Sequence, residues 1–186
     1  MDELFVAQAH RPDHIADIDL KSMTPFHRGL MVIPGFVTQF IEAFEGESVK
    51  VVCLHQAQTP SEDADPWLDV VTGSDVVRRT VYLYGEESSR LYVVGESRMV
   101  LDRLPSTLRE GIEAQQAGLG QLLQQGGAET HRELLWYGEE VLDEIPAIRQ
   151  FAGTRCASRS FRLVHGGRPF MVLNERFPLD SNHRTK

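Results

Sequence analysis

The chain has 186 residues, of which 41% are hydrophobic and 25% are charged, and its formal net charge is −8. This length and composition predict one globular domain over residues 1–186, and the acidic balance excludes a general attraction for nucleic acid or anionic membranes. The start of the chain, MDELFVAQAHRPD, lacks the pattern of a secretory signal, and no apolar stretch is long enough to cross a bilayer. We therefore expect a cytoplasmic protein without a nucleic-acid or membrane partner.

The first predicted elements are helical and lead into strands. After a variable segment, residues 1–23, the stretch MTPFHRGLMVIPGF predicts a loop or short helix. In VTQFIEAFEGE the apolar residues recur at helical spacing up to Gly46, which predicts an amphipathic helix. SVKVVCLHQ predicts a strand, and the acidic loop TPSEDADP follows it. WLDVVTG, SDVVRRTVYLYG and SRLYVVGESRMVL predict two or three more strands, paired antiparallel.

The second half predicts helices and then a hairpin. Thr107 and Glu110 have the spacing of a capping box, which predicts a helix beginning there. GLGQLLQQGG and ETHRELLWYGEEVLDEI are interpreted as helical or loop segments. SRSFRLVHGGRPFMVLNERFP predicts two strands joined at Gly166 and Gly167, and a polar tail, residues 179–186, is expected to fray. The order of elements predicts an α+β fold with a largely antiparallel sheet.

Two charged residues lie on the apolar sides of their predicted strands. Alternation places Glu175 with Met171, Leu173 and Phe177, and it places Arg79 with the aliphatic residues Val77, Val81 and Leu83. A buried guanidinium suits a planar carboxylate, because its fork gives two parallel charge-assisted hydrogen bonds. Periodicity alone leaves two interpretations open: the charges pair with each other across the core, or they belong to a ligand site.

Other residue combinations with chemical potential have simpler interpretations. Cys53 and Cys156 are far apart and form no CxxC pattern, so we expect two buried thiols and neither a disulfide nor a metal site. His10 and His14 are separated by Pro12, which interrupts the helix that would bring them together. The chain has no G-x-S-x-G elbow and no glycine-rich phosphate loop between strand and helix, which excludes the corresponding hydrolases and nucleotide-binding folds.

Several short motifs, taken in order, resemble the chorismate pyruvate-lyase family of 4-hydroxybenzoate synthases, including its broader actinobacterial and cyanobacterial-type branch. The resemblance covers roughly residues 24–178, and its most specific motifs are R-x-V-x-L from Arg79, S-R-x-F/Y-R from Ser158 and E-x-F-P from Glu175. It implies a single α+β domain with an antiparallel sheet of about six strands. It also implies two helical flaps over an internal pocket, and no cofactor.

The resemblance also assigns roles to individual positions. It implies that Arg79 and the amide of Leu119 bind the ring carboxylate of an aromatic acid, that Val37 is a pocket wall, and that Glu175 faces the hydroxyl at the other end of the ring. The chain departs from the family pattern at IPGF before Val37 and at Phe161, where tyrosine is common. These departures concern the substrate more than the fold.

The resemblance implies loss of pyruvate from chorismate, driven by aromatisation of the ring. Two routes are open: Glu175 assists proton movement, or the substrate's own side chain takes the hydrogen in a cyclic process. Because chorismate is a dianion, Arg132 and Arg159 are candidates for its second carboxylate, and both are equally candidates for surface ion pairs. The alternatives are an enzyme of this fold acting on another substrate in specialised metabolism and a non-catalytic sensor of aromatic acids. The sequence leaves the oligomeric state open.

Overall fold

The fold is built on one antiparallel sheet of six strands in the order β1-β2-β3-β6-β5-β4. The computed structural model describes residues 2–34, 36–114, 123 and 129–179. The strands are β1 Val49–Pro60, β2 Asp75–Gly85, β3 Leu91–Met99, β4 His131–Val141, β5 Arg155–His165 and β6 Arg168–Pro178. With its helices the chain forms an α+β domain, as the sequence predicted.

Two short helices precede the sheet. Helix α1, Pro25–Val32, begins after Thr24, whose hydroxyl accepts the amide hydrogen of His27. Helix α2, Val37–Glu45, ends at Gly46, which has a left-handed φ of 76° and closes the last turn. Helix α2 lies where the apolar spacing of the sequence predicted it, and α1 corresponds to the short helix of the predicted loop or short helix.

Helix α3, Ser106–Glu113, begins two residues earlier than the capping-box prediction required, since that prediction made Thr107 the N-cap residue. Pro105 occupies the N-cap position, and its carbonyl accepts hydrogen bonds from the amides of Leu108 and Arg109. Thr107 therefore lies inside the first turn rather than before it. The predicted helix is confirmed, and the predicted capping box is wrong because Pro105 already supplies the extended residue before the helix.

The segment THRELLWYGEEV forms strand β4 and not the helix or loop that we expected. A β-bulge between Leu134 and Trp136 interrupts the alternation of side chains, and four successive residues from Leu135 to Gly138 are buried. A strand that is buried on both faces has no clear period of two, so its sequence resembles an apolar helix. WLDVVTG, a possible strand from its sequence, instead lies in the connection between β1 and β2.

The hairpin of β5 and β6 matches its prediction. Gly166 and Gly167 have left-handed φ values of 57° and 76° and form a two-residue turn between the strands. The polar tail beyond Leu179 lies outside the described residues.

The two faces of the sheet are covered differently. The inner face, as we call it, carries α1, α2 and α3 and the larger apolar clusters. The outer face is partly covered by the N-terminal segment and by the connection between β1 and β2, through a smaller cluster that includes Ile15, Leu68, Trp136 and Val172. His27 joins α1 to the sheet, because its buried ring contacts the carbonyl of Pro178 at 3.0 Å. Burial lowers the pKa of His27.

The cysteines are free thiols on different strands. Cys156 is buried on β5, whereas Cys53 is only half-buried on the edge strand β1, so the expectation of two buried thiols holds for Cys156 alone. The described part of the chain holds no group of three or more His, Cys, Asp or Glu side chains suited to a metal ion. None of its helices combines the length and apolar character needed to span a membrane.

Candidate active site

A small cavity of about 90 Å³ lies between the inner face of the sheet and the helices. Its walls are mostly apolar, and its charged residues are Arg79, Arg132 and Glu175. The apolar wall comes from the start of α2, the inner faces of five strands, the end of α3 and one further residue, Leu123. Its residues are Phe36, Val37, Val51, Val81, Leu83, Val93, Met99, Ile112, Leu123, Phe161 and Leu173. A water-poor cavity with a few convergent polar groups has the character of a small-molecule site.

Arg79 and Glu175 enter this cavity from strands on either side of β3. Arg79 on β2 is opposite Ser97, and Glu175 on β6 is opposite Gly95. Two strand spacings and a two-residue offset separate their backbones by about 12 Å. A single substituted ring can therefore lie over Gly95 and Ser97 with one charged side chain at each end.

The ion partner of Glu175 is Arg159, which is directly opposite it on β5. The Nε and Nη2 atoms of Arg159 both lie 2.8 Å from Oε2 of Glu175. Arg159 is completely buried, and its Nη1 also donates to the carbonyl of Ile33 at 3.2 Å. One interpretation of the sequence paired Glu175 with Arg79 across the core. The structure instead pairs Glu175 with Arg159.

Arg132 approaches the cavity from β4. Its guanidinium carbon lies 4.3 Å from the centre of the Phe161 ring, and its Nη1 donates to the carbonyl of Ile33 at 3.4 Å. Burial lowers the pKa of Arg132; nearby Glu175 raises it and nearby Arg159 lowers it further. The side chain is thus a half-buried cation held next to the completely buried cation of Arg159.

The structure brings most of the predicted site residues together. Val37, Arg79, Arg132 and Glu175 line the cavity, and Arg159 lies behind Glu175 rather than in the wall. Leu119 falls outside the described residues. The prediction that Glu175 and Arg79 point to the apolar side of their strands is confirmed.

Gly95 is a wall residue that the sequence interpretation missed. It lies between Val81 and Glu175 in the register of β2, β3 and β6, and a Cβ atom added there would lie 3.3 Å from Cγ2 of Val81. The absent side chain leaves the centre of the cavity floor open. An isolated glycine in the apolar strand LYVVGESRM was the available signal, because glycine inside a strand often marks a close approach of another group.

Fold and site together define an α+β domain with a small, mostly apolar cavity that contains two arginines and a glutamate. The profile of the family described as "Chorismate pyruvate-lyase Rv2949c-like" matches residues 31–184, and the chain belongs to this family. The chorismate pyruvate-lyase of Mycobacterium tuberculosis is 25% identical over 170 residues, which cover 88% of this chain and 84% of that protein. The chorismate pyruvate-lyase of Mycobacterium leprae is 24% identical over 157 residues, covering 81% and 72% respectively.

The fold of this chain is also similar to that of an effector domain and of a repressor domain among the solved structures. The effector domain of PhnF from Mycobacterium smegmatis has a TM-score of 0.60 at 14% identity, covering 81% of this chain and 92% of that one. The C-terminal domain of the histidine utilization repressor from Pseudomonas syringae has a TM-score of 0.53 at 15% identity, with coverage of 74% and 96%. At these identities the likeness shows the shared fold alone.

Proposed function

We propose that the protein is a chorismate pyruvate-lyase, which eliminates pyruvate from chorismate to give 4-hydroxybenzoate without a cofactor. The observation that carries the proposal is the charge balance of the cavity. Arg79 and Arg132 line it, Arg159 lies behind it, and Glu175 is the single acidic residue among the described residues of its wall. The surplus of positive charge matches a substrate with two carboxylates and a compact ring.

Arg79 and Arg132 each bind one of the two carboxylates of such a dianion. Arg79 binds the ring carboxylate, as the family resemblance implies. Arg132 is the better candidate for the enolpyruvyl carboxylate, because it lines the cavity while Arg159 is engaged by Glu175 and the carbonyl of Ile33. Arg159 then acts as a positioning residue for Glu175.

Glu175 is arranged to meet the hydroxyl end of the ring. Its Oε2 takes the contacts from Arg159, whereas no described residue donates a hydrogen bond to Oε1. A fixed carboxylate with one uncommitted oxygen can accept a hydrogen bond from the ring hydroxyl or assist proton movement at the neighbouring carbon. Either way the ligand is held at both ends, and orientation with exclusion of water lowers the barrier to aromatisation.

Ligand entry requires the cavity wall to move. A volume of about 90 Å³ is well below the ~300–1,000 Å³ of typical small-molecule sites. The start of α2 and the end of α3 both contribute to the wall, through Phe36, Val37 and Ile112. Outward movement of these helices admits the substrate, and their return excludes water from the reaction.

The direct test is to incubate the purified protein with chorismate and to measure 4-hydroxybenzoate and pyruvate by chromatography. Equal amounts of both products, at a rate above the uncatalysed reaction, support the lyase. Retention of 4-hydroxybenzoate without turnover of chorismate would instead indicate a sensor of aromatic acids. Absence of both turnover and binding would indicate an enzyme of this family acting on another substrate.

A further inference from the structure

A second and larger cleft, of about 830 Å³, lies on the outer face of the sheet. Its floor is formed mainly by polar side chains of the strands, and one wall is the N-terminal segment from Pro12 to Ala16. The volume lies in the range of small-molecule sites. Because the sheet separates this cleft from the candidate active site, the two can bind different ligands.

Two arginines are directly opposite each other at one end of this cleft. Arg78 on β2 and Arg98 on β3 are register partners, and both line the cleft. The Cβ atoms of such partners are about 4.5–5.5 Å apart, and like charges at this spacing destabilise a sheet. We call Arg78 and Arg98 the opposed arginine pair, and it requires negative charge nearby.

The protein supplies only part of that negative charge. Arg98 forms an ion pair with Asp65, with 2.8 Å between Nη2 and Oδ2. Arg78 is exposed and forms no hydrogen bond or ion pair with any described residue. Glu96, the acidic residue two positions before Arg98 on β3, is bound by Arg176. One positive charge of the pair is thus left without a partner in the described part of the chain.

Buried donor atoms in this part of the cleft also lack acceptors. Nε of Arg98 and Nε of Arg176 are buried, and neither has a hydrogen-bond partner among the described residues. Arg176 is only 4% exposed although it lines the cleft. A buried donor without an acceptor carries the cost of its lost hydration. The Arg98 side chain is 41% exposed, so its guanidinium has room to turn its unpaired edge toward an anion in the cleft.

Other acidic residues of the cleft lie too far away to balance the pair. Glu139, Glu140 and Asp143 are on β4 or just after it. Strand β4 is three strands away from β3 in the sheet, and the register places Glu140 six residues further along than Arg98. Their backbones are therefore roughly 25 Å apart. This separation is well beyond the Debye length of about 8 Å at physiological ionic strength.

We propose that the opposed arginine pair binds a phosphate group in the outer-face cleft. Two guanidinium groups on neighbouring strands can together donate to three or more oxygens, which a tetrahedral phosphate offers and a single carboxylate does not. The negative charge of the phosphate also relieves the repulsion between Arg78 and Arg98. Thr80, on the same face of β2, offers a hydroxyl beside the pair. The proposal concerns the face opposite to the reaction and does not rest on the proposed lyase activity.

The test measures the binding of inorganic phosphate by calorimetry at constant ionic strength, so that general screening by salt stays the same. The wild-type protein is expected to bind phosphate saturably. Arg78→Gln should weaken the binding roughly ten- to hundredfold, because hydrogen bonds to a charged group are lost. Arg149→Gln is the matched control, since Arg149 is exposed after β4 and does not line the cleft. Absence of phosphate binding by the wild-type protein overturns the proposal.

Arg79→Lys distinguishes the two faces of the sheet. Arg79 is adjacent to Arg78 in the chain, but its side chain enters the cavity on the inner face, so this variant should keep its affinity for phosphate. Loss of binding in Arg79→Lys but not in Arg78→Gln would place the anion in the inner cavity and contradict the proposal. Glycerol 3-phosphate then identifies the source of the group. Tighter binding than that of inorganic phosphate indicates a phosphate ester, and equal affinity indicates free phosphate.

Thermal unfolding gives a second measurement. Without phosphate, Arg78→Gln should melt above the wild-type protein, because the substitution removes the repulsion from Arg98. With saturating phosphate the order should reverse, because the wild-type protein gains more from binding. The proposal fails if the variant melts below the wild-type protein in both conditions, or if phosphate stabilises both equally. Arg78→Gln should convert chorismate at the wild-type rate, so that failure of this proposal is distinguishable from failure of the lyase assignment.

Discussion

Arg159 grips Glu175 through one carboxylate oxygen, with Nε and Nη2 both 2.8 Å from Oε2, and both residues come from the hairpin that ends the described chain. The pair combines a completely buried cation with an acid that is 12% exposed. Under the proposed function, the atoms that form this structural ion pair also form a ligand contact. The sequence had presented these two interpretations as alternatives.

Replacing Arg159 should destabilise the protein strongly. Arg159→Met is expected to lower the free energy of unfolding by about 3–5 kcal/mol, because Glu175 would stay buried without its cation. Arg155→Met on the same strand is the control: Arg155 is 59% exposed, and its pair with Glu139 should contribute about 1 kcal/mol or less. Urea unfolding of both variants makes the comparison. Equal losses would show that Arg159 is no more important than a surface residue.

Arg79→Lys should reduce the lyase activity despite keeping the charge. An ammonium cannot form the two parallel bonds of a guanidinium to a carboxylate, so kcat/KM is expected to fall by roughly ten- to hundredfold. Arg78→Lys is the matched control, since Arg78 is adjacent on β2 and exposed on the outer face. Steady-state kinetics with chorismate would refute the binding of the ring carboxylate by Arg79 if both variants behaved alike.

Glu175→Gln separates the two routes of elimination. If Glu175 assists proton movement, kcat should fall ~10²- to 10⁴-fold with product affinity largely kept, whereas the cyclic route predicts a small loss. The variant also leaves Arg159 without its anion, so a lower melting temperature is expected by either route and does not discriminate between them. The rate must therefore be measured well below the melting temperature. The double variant Arg159→Met/Glu175→Gln should recover part of the lost stability.

Gly95→Ala should obstruct the cavity while preserving the fold. The new methyl group would meet Val81 at 3.3 Å and would occupy the floor where the ring is expected to lie. We expect a higher KM for chorismate and weaker binding of 4-hydroxybenzoate, measured by kinetics and calorimetry. Adding Val81→Ala should restore part of the affinity, since Val81 supplies the contact. Unchanged affinity in Gly95→Ala would show that the ring does not bind over Gly95.

Glu47, which lies outside the candidate active site, should make the stability of the fold depend on pH. Burial alone would raise its pKa, but hydrogen bonds from the hydroxyls of Ser88 and Tyr92 and from the amides of Ser88 and Glu87 lower the pKa from 4.5 to about 2. A carboxyl group with a lowered folded pKa stabilises the fold above its unfolded value and loses that contribution as the pH falls toward 2. The stability difference between wild type and Glu47→Gln should therefore shrink between pH 5 and pH 2, as measured by urea unfolding. A pH-independent difference would contradict this.

The faces of β2 and β6 were predictable because alternation survives in both strands, and it identified Arg79 and Glu175 as inward charges. The partner of Glu175 was not predictable, because it depends on one irregular residue. An uninterrupted two-residue hairpin at Gly166 and Gly167 would put Asn174 opposite Arg159. Phe170 is an unpaired extra residue that shifts the register by one, so that Arg159 meets Glu175 instead.

The prediction for the segment that forms strand β4 was wrong for a related reason. Its bulge at Leu134 and burial on both faces remove the periodic signal, and Arg132 could be located in the cavity only once this segment was known to be a strand. The local sequence of a regular strand shows the two-residue alternation of its side chains. It does not carry the position of a bulge, which depends on contacts between strands.

The last strand among the described residues is also a central one. Strand β6 lies between β3 and β5, so that β1–β3 and β4–β5 meet only through it. During synthesis, the two parts of the sheet must wait until residues 168–178 have left the ribosome before they can join. The same strand delivers Glu175 to the cavity. A chain released early therefore lacks both the strand that joins the two parts of its sheet and Glu175, the acid of the proposed active site.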